Sequence, residues 1–197
     1  YAVDSGFIVY NEVTYPNFIK LLDQLGVKRQ KTTMGFSVKS VNKNFEYAGN
    51  SLKSLFAQHL NYFRPSFWIM LRDIIRFNKM GKADMAILSV DVKLGDYLND
   101  NKYSKSFINH YIIPMGSAIW STKANSMLAM PALFFIRFFN NHGLLQTKNR
   151  SGWWVIKGGS NEYVKKITKG FRSKIRLDAP VSSISRKDGN VLIKSGN

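Results

Sequence analysis

The sequence of 197 residues is 45% hydrophobic and 14% aromatic, which is enough to build a packed core and excludes wholesale disorder. It has no cysteine, which excludes a disulfide scaffold, thiol catalysis and a cysteine-ligated metal, and its three histidines are too widely spaced to predict a metal site. The net charge of +17 indicates either an anionic partner or acidic sequence elsewhere in a longer protein.

The first fifty residues predict sheet elements with one intervening helix. Alternating apolar residues predict a strand over 1–10. Pro16 is suited to the first turn of a helix, whose apolar stripe ends at Gly26. Polar and apolar residues alternate again over 31–48, with a hairpin turn expected at 42–44.

The middle of the chain is predicted to be helical. Residues 51–80 carry apolar side chains at helical spacing, and Pro65 divides them into two helices. Short helices follow over 94–140, with breaks expected at Pro114 and Pro131. A block of this length between sheet elements indicates a helical lobe inserted into a sheet domain.

The helix that follows Pro131 is unusually aromatic. Phe134 and Phe138 share one face of it, and Phe135 and Phe139 share the adjacent face. Two interpretations stay open: one face packs on the core while the other lines a cavity, or both faces are buried. The candidate substrate residues of the lobe are Trp120, Phe134, Phe135 and His142.

The last fifty residues return to mixed structure. A strand is predicted at 153–156, followed by a helix that points Tyr163, Val164 and Ile167 inward and stops at Gly170. A short strand at 174–177 comes next. The chain then forms a hairpin with arms at 181–185 and 191–193 and its turn at Asp188 and Gly189. This chain end and the strand that starts at Tyr1 both look interrupted, so we expect an internal piece of a longer protein.

Two positions suit an anion or a ligand, and each also has a purely structural interpretation. Gly158 and Gly159 lie between a strand and a helix, where backbone N–H groups can bind phosphate or carboxylate. The alternative is an ordinary turn with Ser160 as the helix N-cap, which is the favoured one. Asp4 could position a ligand, but a turn residue is the favoured interpretation.

The basic residues are spread along the chain, and the densest groups lie at 28–31 and 165–176. Neither group interleaves with aromatic side chains as a base-stacking surface does, so no nucleic-acid partner is expected. A solvated face and attraction to an anionic membrane surface both stay open. No segment is long and apolar enough for a transmembrane helix, and we expect a cytoplasmic location, with peripheral membrane contact left open.

The order of these elements resembles flavin-containing amine oxidase-like oxidoreductases, the superfamily of monoamine oxidases, protoporphyrinogen oxidases and phytoene desaturases. The segments that carry this resemblance are 3–7, 14–17, 22–26, 158–164 and 175–181. The chain is similar in more detail to a bacterial branch of NAD/FAD-binding amine oxidase-like proteins, through Asn11 and the segments 76–78, 113–121, 138–145 and 157–160.

The resemblance implies an α+β (α/β) fold, the central part of a two-domain FAD-dependent oxidoreductase with p-hydroxybenzoate hydroxylase-like architecture. Residues 1–50 would supply sheet elements of the FAD and substrate domain, 51–145 the helical substrate lobe, and 146–197 part of the FAD-binding domain. The N-terminal Rossmann βαβ unit would be missing, so we expect the chain alone to bind FAD weakly or not at all. The resemblance implies that Gly6, Phe7 and Val181 bind the cofactor. Gly158 and Gly159 of the glycine turn are added to these candidates.

The function that this implies is hydride transfer from a small apolar substrate to FAD, with no metal. No catalytic residue carries over from the family, because the lysine near the flavin in amine oxidases comes from a later region. The competing function is a basic module without catalysis that binds an anionic membrane surface or nucleic acid, which accounts for the charge of +17 directly.

Overall fold

The computed structural model describes residue 4 and residues 8–40, 44–146 and 152–195. The strands are β1 (Tyr10–Asn11), β2 (Arg29–Thr32), β3 (Ser37–Ser40), β4 (Phe45–Ala48), β5 (Trp153–Ile156), β6 (Val181–Lys187) and β7 (Asn190–Ser195). The α-helices are α1 (Pro16–Gln24), α2 (Leu52–Leu55), α3 (Pro65–Asp84), α4 (Leu94–Asp100), α5 (Lys105–Phe107), α6 (Ile113–Trp120), α7 (Ala124–Ala129), α8 (Ala132–Asn141) and α9 (Asn161–Thr168). The fold is mixed α+β with small sheets.

A three-stranded antiparallel sheet joins the N-terminal part of the chain to the segment that follows the helical lobe. Strand β5 lies between β1 and β2, and Trp154 is paired with Tyr10 on one side and with Lys31 on the other. Helix α1 covers this sheet through the buried Leu22, and Tyr163 of α9 packs against the same cluster. The predicted helix from Pro16 to Gly26 is confirmed, and Gly26 has the positive φ of a helix C-terminus.

The hairpin of β3 and β4 packs on the helices rather than on the three-stranded sheet. Its strands are antiparallel, with Ser37 opposite Ala48, which confirms strands within the predicted 31–48 segment. The inward side chains Phe45 and Tyr47 are buried in the core of the helical lobe. Residues 42 and 43 of the expected turn lie outside the described residues.

The helical lobe is built around α3, which starts at Pro65 as predicted and runs for 20 residues. Proline is well accommodated there because the first helical N–H groups have no intrahelical acceptor. The lobe core contains the fully buried side chains Phe67, Met70, Phe77, Leu94, Leu98, Phe107, Ile112, Met127, Phe135, Ile136 and Phe139. Helix α4 occupies the predicted positions, 94–100.

The predicted break at Pro114 is wrong, because the helix continues through this residue. Residues 105–120 form one helical run whose middle part, Ile108–Ile112, is a π-helix. Proline has no N–H and cannot donate to the carbonyl of His110 four residues earlier. The hydroxyl of Tyr47 donates to that carbonyl oxygen at 2.8 Å. Burial raises the pKa of Tyr47, so this hydroxyl stays protonated as a donor.

A buried carboxylate fixes the loop between α4 and α5. Asp73 of α3 has no solvent-exposed surface, and its Oδ2 accepts a hydrogen bond of 2.9 Å from the backbone N–H of Ser104. Arg76 lies 3.3 Å from Asp73 Oδ1, donates to the carbonyls of Asn101 and Lys102, and stacks over the ring of Tyr103 at 4.0 Å. The two side chains therefore hold the loop against α3.

The C-terminal part differs from the prediction in two places. Residues 174–177 do not form a strand; a short 3₁₀-helix, Arg172–Lys174, begins this segment instead. Val164 and Ile167 of α9 are each about 40% exposed rather than inward. The hairpin of β6 and β7 is confirmed, and all of its residues are exposed.

Within the described ranges, no helix combines the length and apolarity needed to cross a membrane.

Candidate functional site

Helix α8 presents one face to the core and another to a surface groove. Phe135 and Phe139 are fully buried, with their rings stacked at a centroid distance of 4.2 Å. Phe134 is 51% exposed, and Phe138 is half-buried. The separation follows from helical geometry, because residues four positions apart point in the same direction. The structure thus places Phe135 in the core, out of reach of a ligand in the groove.

The groove has a volume of about 390 Å³, which lies within the range of small-molecule sites, roughly 300–1,000 Å³. Its polar lining residues all come from the C-terminal half of α8 and the residue after it, and this part of the groove is called the polar end, although the apolar Phe138 lies there too. The lining residues are Val90, Pro131, Leu133, Phe134, Arg137, Phe138, Asn141 and His142.

Trp120, at the end of α6, supports the apolar wall from behind. Its ring centroid lies 4.7 Å from that of Phe138 and 5.9 Å from that of Phe134. It also contacts Phe135 at 5.6 Å, so it joins the groove to the core. Aromatic pairs at these distances stabilise one another beyond simple burial, and the positions of Phe134 and Phe138 are therefore well defined.

His142 lies at the polar end, just after the last turn of α8. Its Nδ1 is 3.0 Å from the carbonyl oxygen of Phe138, and because a carbonyl only accepts hydrogen bonds, Nδ1 carries the proton. The imidazole stacks on the Phe138 ring with the two ring centroids 3.9 Å apart. The ring of Tyr15, the residue before α1, meets the imidazole edge-on at a centroid distance of 6.4 Å.

Arg137 and Asn141 complete the polar end on successive turns of α8. Both are exposed. Among the ion pairs of the described residues, none involves Arg137. Arg137 and Val90 line the groove but were not predicted from the sequence. Arg137 could have been found from its spacing of three residues after Phe134, whereas Val90 reaches the groove only through the tertiary fold.

The glycine turn after β5 binds a carboxylate of the chain itself. Gly158 and Gly159 both have φ of +90°, which favours glycine. The backbone N–H of Ser160 donates to both carboxylate oxygens of Asp4, at 3.0 and 2.9 Å. A Cβ at Gly159 would lie 3.5 Å from the same oxygens. A phosphate at this turn would meet a like charge, so these residues do not fit the pyrophosphate of FAD.

Of the other cofactor candidates, only Val181 lies within the described residues. Gly6 and Phe7 lie outside the described residues. Val181 is 54% exposed at the start of β6, in a two-stranded sheet separate from the sheet that contains β5. Among the three described cofactor candidates, Gly158 and Gly159 lie together beside Asp4, and Val181 lies in a different sheet.

A second, more polar groove of about 600 Å³ lies between β3 and the helical run 105–120. Asn109 and His110 line it beside Pro114. The ring of His110 packs against that of the core residue Phe45, with the centroids 4.8 Å apart. In the described part of the chain, no three His, Asp or Glu side chains converge as metal ligands.

No protein-family model matches the chain, and no curated protein matches it.

Proposed function

We propose that the helical part of this chain is the substrate lobe of an FAD-dependent, amine oxidase-like oxidoreductase that removes a hydride from an apolar substrate. The observation that carries this proposal is the groove on α8, whose apolar wall is separate from the packed face of the same helix. Bound FAD supplies the acceptor for the electron pair in such enzymes. The order of sequence segments that resemble this superfamily gives further support.

The described residues have a defined part in this proposal. Phe134 and Phe138, backed by Trp120, offer an apolar surface that excludes water from one side of a substrate. Arg137 and His142 offer polar contacts at one end, which fix the direction in which a substrate lies. Because the turn at Gly158 and Gly159 does not fit a phosphate, we assign no contact with FAD to it.

The test uses the natural gene product that contains this sequence and the 197-residue chain in parallel. We expect flavin, identified by its absorption after denaturation, in the natural product, and weak or no FAD binding by the chain. Phe134→Ala should lower kcat/KM for anaerobic flavin reduction by an apolar substrate about 10-fold, the effect of about 1.4 kcal/mol of lost contact.

Phe63→Ala is the matched control, because Phe63 is 84% exposed and lies outside the groove. Its kcat/KM should equal that of the unsubstituted protein. A natural product without flavin would overturn the proposal, and so would equal effects of the two substitutions.

A second candidate function is binding to an anionic membrane surface, favoured by the segment 165–194. This segment has nine Lys and Arg residues against two Asp. It also exposes large apolar side chains: Ile167, Phe171, Ile175, Leu177, Val181, Ile184, Val191, Leu192 and Ile193. Basic residues beside exposed aliphatic residues suit the boundary between lipid headgroups and acyl chains.

Replacing Lys169, Arg172 and Arg176 by Gln tests this candidate. Each basic residue near an anionic membrane contributes about 1 kcal/mol, so the triple variant should bind phosphatidylserine-containing vesicles about 100-fold more weakly in a sedimentation assay. The control replaces Lys53, Lys82 and Lys123, which are exposed on the lobe, by Gln. Equal losses in the two triple variants would indicate that only net charge matters, against a defined surface.

A further inference from the structure

The polar end of the groove has a positive charge that the described residues do not neutralise. Arg137 and Asn141 are one turn apart on α8 and both line the groove. None of the ion pairs among the described residues includes Arg137. A ligand that occupies the groove therefore meets a guanidinium at one end.

The rest of the groove suits a hydrocarbon chain. Val90, Leu133, Phe134 and Phe138 contribute apolar surface along its length. Arg137 is the one Lys, Arg, Asp or Glu among the described residues that line the groove, so a matching ligand has one charged head and an apolar tail. A molecule with charges at both ends would leave one of them against apolar side chains without a partner, at a considerable cost in free energy.

The polar head is best matched by a carboxylate. A guanidinium presents its N–H donors in a planar fork that fits the two oxygens of a carboxylate. The side-chain amide of Asn141 can add another donor. An ammonium head would be repelled by Arg137, which argues against an amine as the ligand of this groove.

We infer that the groove on α8 binds an amphipathic monocarboxylate, a molecule with a medium-length apolar chain and one carboxylate that pairs with Arg137. The inference rests on the proposed function in that it names the substrate class of the same groove. It extends that function by assigning the substrate as an acid rather than an amine.

The test is isothermal titration calorimetry of the 197-residue chain with decanoate, decanol and decylamine. These three probes share one hydrocarbon tail and differ in the charge of the head. Decanoate should bind at least 10-fold more tightly than decylamine, with decanol between them. Equal binding of the charged probes would overturn the inference. No flavin is needed, so this result is independent of whether the natural gene product contains FAD.

Two substitutions locate the binding. Arg137→Gln should weaken decanoate binding about 10- to 100-fold, the usual effect of losing a charge-assisted hydrogen bond, and leave decanol binding unchanged. Phe134→Ala should weaken the binding of both probes. Lys53→Gln, exposed on the lobe and outside the groove, is the control and should change neither.

Unchanged decanoate binding by the Arg137 variant would overturn the assignment, and so would an equal loss in the Lys53 variant, which would indicate adsorption to basic surface in general. Arg137 is exposed, so its substitution is expected to leave the fold intact, and circular dichroism checks this.

Discussion

Truncation of Phe135 to alanine should lower the free energy of unfolding by about 3–5 kcal/mol, the usual cost of removing a buried phenylalanine ring. Phe135 has no exposed surface and contacts the rings of Phe139, Trp120 and Phe77 at centroid distances of 4.2, 5.6 and 6.2 Å. Three helices, α3, α6 and α8, meet at this side chain, so neighbouring groups cannot easily fill the cavity. Urea denaturation followed by circular dichroism measures the loss.

Phe134→Ala is the matched control, one position earlier on the same helix. Since Phe134 is half exposed, its truncation should cost less than about 1 kcal/mol. Equal losses would show that both faces of α8 serve as core, and the assignment of the groove as a ligand site would then fail. A large difference supports a helix with one structural face and one face free to bind.

Asp73→Ala should lower the free energy of unfolding by about 2 kcal/mol, because it removes a buried carboxylate that accepts a backbone N–H and pairs with a partly exposed guanidinium. The substitution leaves the Ser104 N–H without its acceptor and takes the carboxylate away from Arg76. Part of the Arg76 side chain is exposed, and its bonds to the carbonyls of Asn101 and Lys102 persist, which limits the loss. Urea denaturation checks the value.

Asp91→Ala provides the comparison for Asp73, because Asp91 is exposed in the loop before α4 and forms no ion pair with the described residues. It should change stability by no more than about 0.5 kcal/mol. If Asp73→Ala lowered the free energy of unfolding by no more than Asp91→Ala does, water would be replacing the carboxylate. The loop between α4 and α5 would then not depend on Asp73.

Local signals in the sequence predicted the helices whose ends carry proline or glycine. Pro16, Pro65 and Pro131 each lie at or next to a helix start, and Gly26 follows the end of α1. The same signal failed at Pro114, where the chain passes from the π-helix 108–112 into α6 without a break. Tyr47, distant in sequence, donates there to the carbonyl of His110. A residue's local preference is informative only where no tertiary partner overrides it.

The short strand predicted at 174–177 failed for a related reason. Alternation of apolar and polar residues describes a strand only if a neighbouring strand accepts its hydrogen bonds, and none of the described strands pairs with this segment. The division of α8 into two faces was accessible from periodicity, but which face is buried was not. The contact of Asp4 with Ser160 joins positions far apart in the chain, so local patterns carry no signal for it.

The position of β5 between β1 and β2 determines how the chain can fold. Both partners of β5 come from the first part of the sequence, and the whole helical lobe lies between them and β5. Pairing these strands in an unfolded chain would close a very long loop, which is costly in entropy and slow. A lobe that has already folded brings its two ends closer and shortens that loop. We therefore expect the lobe to form before the sheet. A substitution that unfolds the lobe core should then also separate the strands of the sheet, whereas the sheet can open while the lobe stays folded.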